Sequence, residues 1–201
     1  MKIYNKVGYD AAVIGNHELQ DYKTSFFKKA LKGSDFPWVS ANVMLVDNKD
    51  KAFTRPYTII KKNIDGKTLK VGVIGFTPPQ TMRWGSSHLK GNVVMNDIVD
   101  SALKYVPELR EKTDIIVALA HTGISTADVN SYDARENAAY YLGQINGIDA
   151  MVLGHHHGTF PGDYKDIVGV NSKKGTIHGV PAVMPKSWGR ALGVIDLKLS
   201  Y

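Results

Sequence analysis

Short apolar runs rich in β-branched residues recur along the chain, and longer amphipathic stretches separate them. Runs of this length favour buried strands, and their alternation with helical segments is typical of a layered α/β fold. The predicted strands are residues 10–15, 38–43, 69–76, 114–121, 149–154, 179–184 and 192–199.

Three intervening stretches place apolar residues at helical spacing, so that one face of each could pack on a sheet. Pro107 lies inside the second of them and predicts a break or kink, because proline cannot donate a helical hydrogen bond. The predicted helices are residues 22–31, 96–112 and 133–142.

Two further segments have the composition of connections. Residues 54–68 predict a hairpin, in which Asp65 and Gly66 supply the positive φ angles of a tight turn. Residues 160–174 are rich in glycine, aspartate and lysine, and they predict a surface loop.

Composition and charge narrow the classes of protein to consider. At 201 residues, with 43% hydrophobic and 22% charged residues, the chain can form one α/β domain with its own core. The formal charge is +6, but the lysines are scattered and no block of five like charges occurs, so we expect no polynucleotide partner.

No apolar run approaches the ~20 residues of a membrane span. The residues after Met1 also lack the apolar core of a signal peptide.

Cysteine is absent, which excludes disulfides, thiol nucleophiles and zinc knuckles. Any metal ion must therefore be held by histidine, asparagine and carboxylate side chains.

Three of the predicted strands run directly into polar clusters. The sequences are GNHE at 15–18, AHTG at 120–123 and GHHH at 154–157. Because the carboxyl ends of strands in α/β sheets form the crevice where ligands bind, we expect these clusters to converge. Imidazole nitrogens suit zinc and related metals, and an asparagine oxygen is a harder ligand. The mixture predicts a dinuclear site, whose two cations could clamp a phosphate and generate hydroxide.

A structural interpretation competes with this one at each histidine. A single histidine at a strand end is more often a hydrogen-bonded structural residue than a metal ligand. The coincidence of three strand ends favours metal binding. His155 and His157 share one side of an extended turn, whereas His156 points elsewhere, so the outer two are the better ligands. His88 and His178 lie in predicted loops without partners, and we interpret them as solvated.

The three motifs, in this order and at these separations, resemble the last three of the five motifs of calcineurin-like metallophosphoesterases. Other segments resemble the bacterial 2',3'-cyclic-nucleotide 2'-phosphodiesterase/3'-nucleotidases, a branch of the 5'-nucleotidase superfamily. The resemblance implies a layered αββα sandwich that uses two divalent ions, such as zinc or manganese, to hydrolyse 2',3'-cyclic nucleotides and 3'-nucleotides to nucleoside and phosphate. The segments are residues 5–10, 77–80, 96–98, 104–112, 136–142, 160–162 and 179–185.

The resemblance also implies a role for each matching residue. Asn16, His121 and His155 would bind one metal ion. His157 would bind the other. His17 would contact the phosphate and assist the leaving oxygen, a role that needs a shared proton near the developing charge.

Two positions depart from the wider superfamily's pattern. A carboxylate three residues after the catalytic histidine commonly orients it, but here that position is Gln20, with Asp21 one residue further on. Both stay open as the orienting group. The small residue usual between the last two histidines is replaced by His156, which could add a phosphate contact or a stray ligand.

Other parts of the family's pattern have no counterpart here. Its first two motifs, an Asp-x-His and a Gly-Asp that supplies a bridging carboxylate, are not found in residues 1–10, and we find no counterpart of its C-terminal substrate domain within residues 1–201. We therefore interpret residues 1–201 as an N-terminally truncated catalytic domain. We expect it to hold at most one metal ion firmly, to be nearly inactive alone, and to dimerise or swap through an exposed sheet edge.

The parent protein is expected to act on nucleotides outside the cytoplasm, in the periplasm or at the cell surface. Two alternatives stay open at this point. One is a 5'-nucleotidase or nucleotide-sugar hydrolase, which shares the metal motifs. The other is a non-catalytic fragment of such an enzyme.

Overall fold

The computed structural model describes residues 1–22, 24–162 and 164–199, and it has the expected α/β fold with a central sheet. Lys23 of the first predicted helix, Asp163 of the predicted loop and residues 200–201 lie outside the described residues. The helices are α1 (Lys2–Val7), α2 (Asn16–Gln20), α3 (Thr24–Lys32), α4 (Thr81–Trp84), α5 (Ser86–Leu89), α6 (Ile98–Arg110), α7 (Tyr132–Glu136) and α8 (Ala139–Leu142). The strands are β1 (Ala12–Val13), β2 (Trp38–Val39), β3 (Val43–Leu45), β4 (Tyr57–Ile64), β5 (Lys67–Phe76), β6 (Val93–Met95), β7 (Ile115–Ala120), β8 (Ala150–Leu153), β9 (Thr159–Phe160), β10 (Val170–Asn171), β11 (Thr176–Ile177) and β12 (Val180–Pro185).

Four parallel strands form the middle of the main sheet. In the described residues its order is β10-β11-β12-β8-β7-β5-β4, with β9 paired to β12. The pairs β12–β8, β8–β7 and β7–β5 are parallel, and β4 runs antiparallel to β5. The carboxyl ends of β5, β7, β8 and β12 therefore share one edge, which is where ligands bind in sheets of this kind.

The two faces of this sheet are covered by different layers. On one face α6 packs against β5 and β7, and Gly72 of β5 lies so close to Leu109 that a Cβ would come within 3.0 Å of it. On the other face the short parallel pair β1–β2 contacts β5, and β1 also contacts β7. Side chains of β7 accordingly alternate between buried and partly exposed positions.

The hairpin at 54–68 has the predicted turn. The ladder runs from Tyr57 opposite Ile74 to Ile64 opposite Lys67, and the two-residue loop between them is Asp65-Gly66. Both loop residues have positive φ, 50° and 80°, as a hairpin turn with this twist requires.

The prediction of one helix over residues 133–142 is wrong, because the chain forms α7 and α8 with a break at residues 137–138. The hydroxyl of Thr122 donates to the Glu136 carbonyl and accepts from the Ala138 N–H. The Ala139 N–H donates to the Gly123 carbonyl. These bonds to the end of β7 take over backbone groups that a continuous helix would have used.

The prediction at Pro107 was a break or a kink, and the break is wrong, since α6 runs through this residue from Ile98 to Arg110. A proline four residues after Leu103 leaves the Leu103 carbonyl without its helical donor. Leu103 is 57% exposed, so water can reach this turn. The lost bond is therefore tolerated.

Three other predicted elements differ from the structure. Residues 38–43 divide into β2 and the start of β3, because Ser40 and Asn42 turn inward to hydrogen-bond with Thr77. Residues 192–199 form no strand, and among the described residues this segment pairs with no neighbour. The predicted loop at 160–174 includes the end of β9 and all of β10.

No helix in the described part of the chain has the length and apolar character needed to cross a membrane.

Candidate metal centre

Three side chains predicted as ligands of one metal ion meet at the carboxyl edge of the sheet. Nε2 of His121 lies 2.8 Å from Oδ1 of Asn16, and Nδ1 of His155 lies 3.3 Å from the same oxygen. The two imidazole rings are tilted by 57°, with centroids 5.4 Å apart. His121 and His155 are 105 and 139 positions away from Asn16 in the sequence, yet both contact its amide oxygen.

The ends of the strands are fastened to each other around this point. The hydroxyl of Thr77, just after β5, donates to the Ile14 carbonyl at 2.8 Å, and the N–H of His121 donates to the Phe76 carbonyl at 2.9 Å. Gly15 lies against the ring of His121, where an added Cβ would come within 3.1 Å of Cε1. A side chain at this position would crowd both the imidazole of His121 and the carboxylate of Glu18.

Gln20 fixes which end of the Asn16 amide faces the site. Nδ2 of Asn16 donates to Oε1 of Gln20 at 3.0 Å, one helical turn along α2. Oδ1 of Asn16 is consequently directed at the two imidazoles. Gln20, the residue that stands where a carboxylate was expected, thus supports the asparagine.

His155 is held on two further sides. Its Nε2 lies 2.8 Å from Oε1 of Glu136 at the end of α7, and its ring is stacked against Trp84 at 5.6 Å and 25°. The backbone of His155 has φ 63°, in the left-handed region that favours glycine. Backbone conformations of this kind cost of order 1–3 kcal/mol and persist where the surroundings fix them.

The protonation behaviour of His121 suits a ligand. The pKa of His121 is lowered to about 3, and burial is the largest cause. The nearby imidazoles of His155, His17 and His157 contribute to the same lowering, because a positive charge on one ring disfavours another. His121 is therefore neutral at physiological pH and keeps the lone pair that a metal ion needs.

His17 lies on the exposed side of α2, beside Asn16, His121 and His155, which we call the trio. Its Nδ1 lies 2.6 Å from Oδ2 of Asp21 and 3.2 Å from Nε2 of Gln20. A carboxylate only accepts hydrogen bonds, so Nδ1 of His17 is the donor to Asp21. The hydrogen bond from His17 is the first cause of a lowered pKa at Asp21. Of the two orienting groups left open by the sequence, Asp21 makes the closer contact with His17.

The other histidines of the GHHH sequence are exposed. His157 has φ 53° and is near enough to His121 to affect its pKa. The Cβ of His156 lies close to Gly123, where a glycine Cβ would come within 2.8 Å of it. His155 therefore contacts Asn16, whereas its neighbours His156 and His157 face solvent.

The interpretation of His88 as a loop residue without a partner is wrong, whereas His178 does lie in a predicted loop and only its lack of a partner is wrong. His88 lies in α5, and its Nε2 is 2.7 Å from the Leu19 carbonyl, which ties α5 to α2. His178 contacts Gln144 at 3.1 Å and packs edge-on against Tyr140. The contacts of these two histidines are structural, and they lie away from the trio.

Sequence reasoning missed Glu136 and Trp84 as parts of this site. Neither follows a strand, and neither stands next to another candidate ligand in the chain. Glu136 is the last residue of α7, and hydrogen bonds to Thr122 and Gly123 hold the chain where this helix ends. Local pattern alone carries no signal for such a contact.

The donor set of this trio fits a divalent cation. Nε2–H of His155 donates to Glu136, and Nδ2 of Asn16 donates to Gln20. The Nδ1 lone pair of His155 and the Oδ1 lone pairs of Asn16 therefore face each other at 3.3 Å. A cation satisfies both acceptors, and imidazole with amide oxygen suits a borderline metal. In the described residues, no three or more His, Cys, Asp or Glu side chains by themselves form a metal-holding group, so the site depends on the amide of Asn16.

Comparisons with known proteins show what this chain is similar to. A family model described as calcineurin-like phosphoesterase matches residues 1–159. A Salmonella typhimurium protein named 2',3'-cyclic-nucleotide 2'-phosphodiesterase/3'-nucleotidase is 45% identical over 99% of this chain and 31% of its own length. The crystal structure of calcineurin-like phosphoesterase YfkN from Bacillus subtilis matches with a TM-score of 0.86 and 42% identity, over 94% of this chain and 57% of that chain.

A protein from Vibrio cholerae named 5'-nucleotidase is more distant, at 29% identity over 96% of this chain and 35% of its own length. The chain thus spans about a third of the length of the curated relatives described here.

Proposed function

The chain belongs to the calcineurin-like phosphoesterase family, and from that premise we propose that its protein hydrolyses 2',3'-cyclic nucleotides and 3'-nucleotides to nucleoside and phosphate. The family uses divalent metals. The observation that carries the proposal is the meeting of His121, His155 and Asn16 at one amide oxygen, beside the exposed imidazole of His17.

Three residues would hold one cation through Nε2 of His121, Nδ1 of His155 and Oδ1 of Asn16. When bound, a divalent cation polarises a phosphate oxygen and acidifies a water molecule. Three protein ligands leave coordination positions open, as in catalytic sites and unlike closed structural ones. Zinc and manganese are the proposed metals, and His157 is the proposed ligand of a second cation.

His17, oriented by Asp21, would donate a proton to the leaving group. In each step water attacks phosphorus, one P–O ester bond breaks, and the departing ribose oxygen gains a proton. The first step opens the 2' ester of the ring, and the second releases the 3' phosphate. The Asp21 carboxylate engages Nδ1 of His17, so that the ring's other nitrogen is left for the phosphate and the leaving oxygen.

The alternative of a 5'-nucleotidase is less well supported, because the relative of that name is 29% identical and the cyclic-nucleotide relative is 45% identical. Turnover of 2',3'-cyclic AMP, 3'-AMP and 5'-AMP by the full-length natural protein with added manganese tests the choice. We expect turnover of the first two to exceed that of 5'-AMP. Preference for 5'-AMP would favour the alternative, and no turnover of any of the three would favour a non-catalytic role.

We further propose that the full-length protein acts outside the cytoplasm, as the resemblance implies. Fractionation of the producing bacterium checks this, and activity confined to the cytoplasmic fraction would contradict it.

Self-association is the last part of the proposal. Strand β4 is the outermost strand on one side of the described sheet, and residues 61–64 on it are exposed. Exposed edges can pair with another chain. Light scattering over a range of protein concentrations should show a dimer, and a monomer at every concentration would contradict this.

A further inference from the structure

The contact between Glu136 and His155 has the form of a support for a metal ligand. Oε1 of Glu136 lies 2.8 Å from Nε2 of His155, and the two side chains are only 21% and 13% exposed. The opposite ring nitrogen, Nδ1, is the one that faces Asn16. One nitrogen of the ring is thus taken by a carboxylate while the other is directed into the site.

This arrangement selects one tautomer of His155. A neutral imidazole carries its proton on one nitrogen only, and an ionised carboxylate can only accept. Glu136 therefore draws the proton to Nε2 and leaves a lone pair on Nδ1. Histidines that bind metals generally donate their other N–H to a carboxylate or carbonyl, which fixes both the tautomer and the ring orientation.

Two other features keep the contact in place. The indole of Trp84 covers one face of the ring with an interplanar angle of 25°, which limits rotation. The backbone carbonyl of Glu136 accepts from the hydroxyl of Thr122, the residue directly after His121. The backbone of Glu136 is thereby held at the end of β7, next to His121. This hydrogen bond does not depend on the side chain of Glu136.

We propose that Glu136 is a positioning residue of the metal centre, whose carboxylate holds His155 in the tautomer protonated on Nε2 so that Nδ1 can ligate. This inference rests on the metal site of the proposed function and extends it to a residue outside the three motifs. Glu136 acts through His155 and does not itself touch the metal ion or the substrate.

Two variants of Glu136 and one control test the proposal. Glu136→Ala removes the acceptor, whereas Glu136→Gln keeps an oxygen that can accept from Nε2–H without the charge. Glu111→Gln is the matched control, because Glu111 is an exposed residue at the end of α6. The backbone bond from Thr122 is present in all three, and thermal unfolding checks that each is folded.

The first readout uses the metal-free chain and needs no activity. Long-range ¹H–¹⁵N spectra assign the tautomer of His155. We expect Nε2–H in the natural chain and in Glu111→Gln, and a mixture of tautomers in Glu136→Ala. An unchanged Nε2–H tautomer in Glu136→Ala would overturn the proposal, whether or not the protein hydrolyses nucleotides.

The second readout is the affinity for manganese, measured by titration calorimetry. We expect Glu136→Ala to weaken binding by roughly 10–100-fold, the usual effect of losing such a partner, and Glu136→Gln to recover part of the loss. Unchanged affinity in Glu136→Ala would overturn the proposal. Complete loss of binding in both variants would make Glu136 a direct ligand, which also contradicts it.

Discussion

The two sides of the candidate site are built in different ways. On one side Asn16 is 5% exposed, and its oxygen meets His121 and His155, each held by contacts from other strands and helices. On the other side the side chains of His17 and Asp21 are 61% and 47% exposed, and the two residues lie in α2 and directly after it. The first side is suited to holding a metal ion at a fixed place. The second is suited to meeting a substrate that arrives from solvent.

Adjacent residues are divided between these roles by the turn that begins α2. Asn16 is buried toward His121, whereas His17, the next residue, faces outward. Their closest partners follow the same division, since Gln20 bonds to Asn16 at 3.0 Å and Asp21 bonds to His17 at 2.6 Å, although Gln20 also lies 3.2 Å from Nδ1 of His17. Asn16 with Gln20 and His17 with Asp21 are therefore the two closest pairs in α2 and the residue after it, and substitutions of Gln20 and Asp21 test whether the pairs act separately.

The largest effect is expected from His17→Ala. In the full-length protein it should cut turnover by roughly 10²–10⁴-fold, the usual range for general acid–base catalysis, while metal content stays the same. Steady-state kinetics and metal analysis measure both quantities. Loss of metal in this variant would show that His17 is a ligand and that the division between the two sides is wrong.

The next effect concerns a residue that would hold the metal. His121→Ala should weaken manganese binding by more than about 100-fold, because losing a ligand costs more than losing its supporting partner. Glu111→Gln serves as the control, since Glu111 is exposed at the end of α6 and has no assigned role in the site. Equal affinities for the two variants in titration calorimetry would rule out His121 as a ligand.

Acid should destabilise the buried side of the site in the metal-free chain. The pKa of His121 is about 3 in the folded state, and a histidine in the unfolded chain titrates near 6.5. The unfolded state therefore binds more protons between these values, and stability is lost as pH falls from 6.5 toward 3. Between pH 7 and pH 4 this contribution is roughly 3 kcal/mol.

Urea unfolding at pH 7 and pH 4, compared between the natural chain and His121→Asn, isolates that contribution. We expect the natural chain to lose more stability than the variant. Equal losses in both proteins would mean that His121 is not the group responsible.

The smallest effects are expected from substitutions of Gln20 and Asp21, and their main effects should fall on different quantities. Asp21→Asn should lower turnover roughly tenfold with unchanged metal affinity, since it acts on an exposed imidazole. Gln20→Ala should weaken metal binding by about tenfold, since it acts on the amide of Asn16. If both variants changed the same quantity, the two pairs would not be independent.

Much of the fold follows from the sequence, because the central strands are continuous apolar runs with polar residues at their ends. Strands β5, β7 and β8 lie within one or two residues of the predicted bounds. The strand predicted at 192–199 failed for a physical reason. An alternating pattern supplies the side chains of a strand, but a strand also needs a hydrogen-bonded neighbour, and this segment has none among the described residues.

The candidate site could be predicted only in part from the sequence. Its ligands stand at strand ends, where the rule for α/β sheets places them together. Glu136 was not predicted, because its position depends on hydrogen bonds from Thr122 across the fold. The choice between Gln20 and Asp21 needed coordinates as well, since one residue of difference on a helix decides which side chain each can reach.

The Asp65-Gly66 turn gives the protein a convenient place for a chemical handle. It joins β4 to the start of β5, whereas the other end of β5 reaches the candidate metal centre. Ten residues of strand separate the two ends by roughly 30 Å. Because the chain contains no cysteine, Asn63→Cys beside the turn would introduce a single exposed thiol. A dye or a surface tether attached there would report on individual molecules while leaving the opposite edge of the sheet clear.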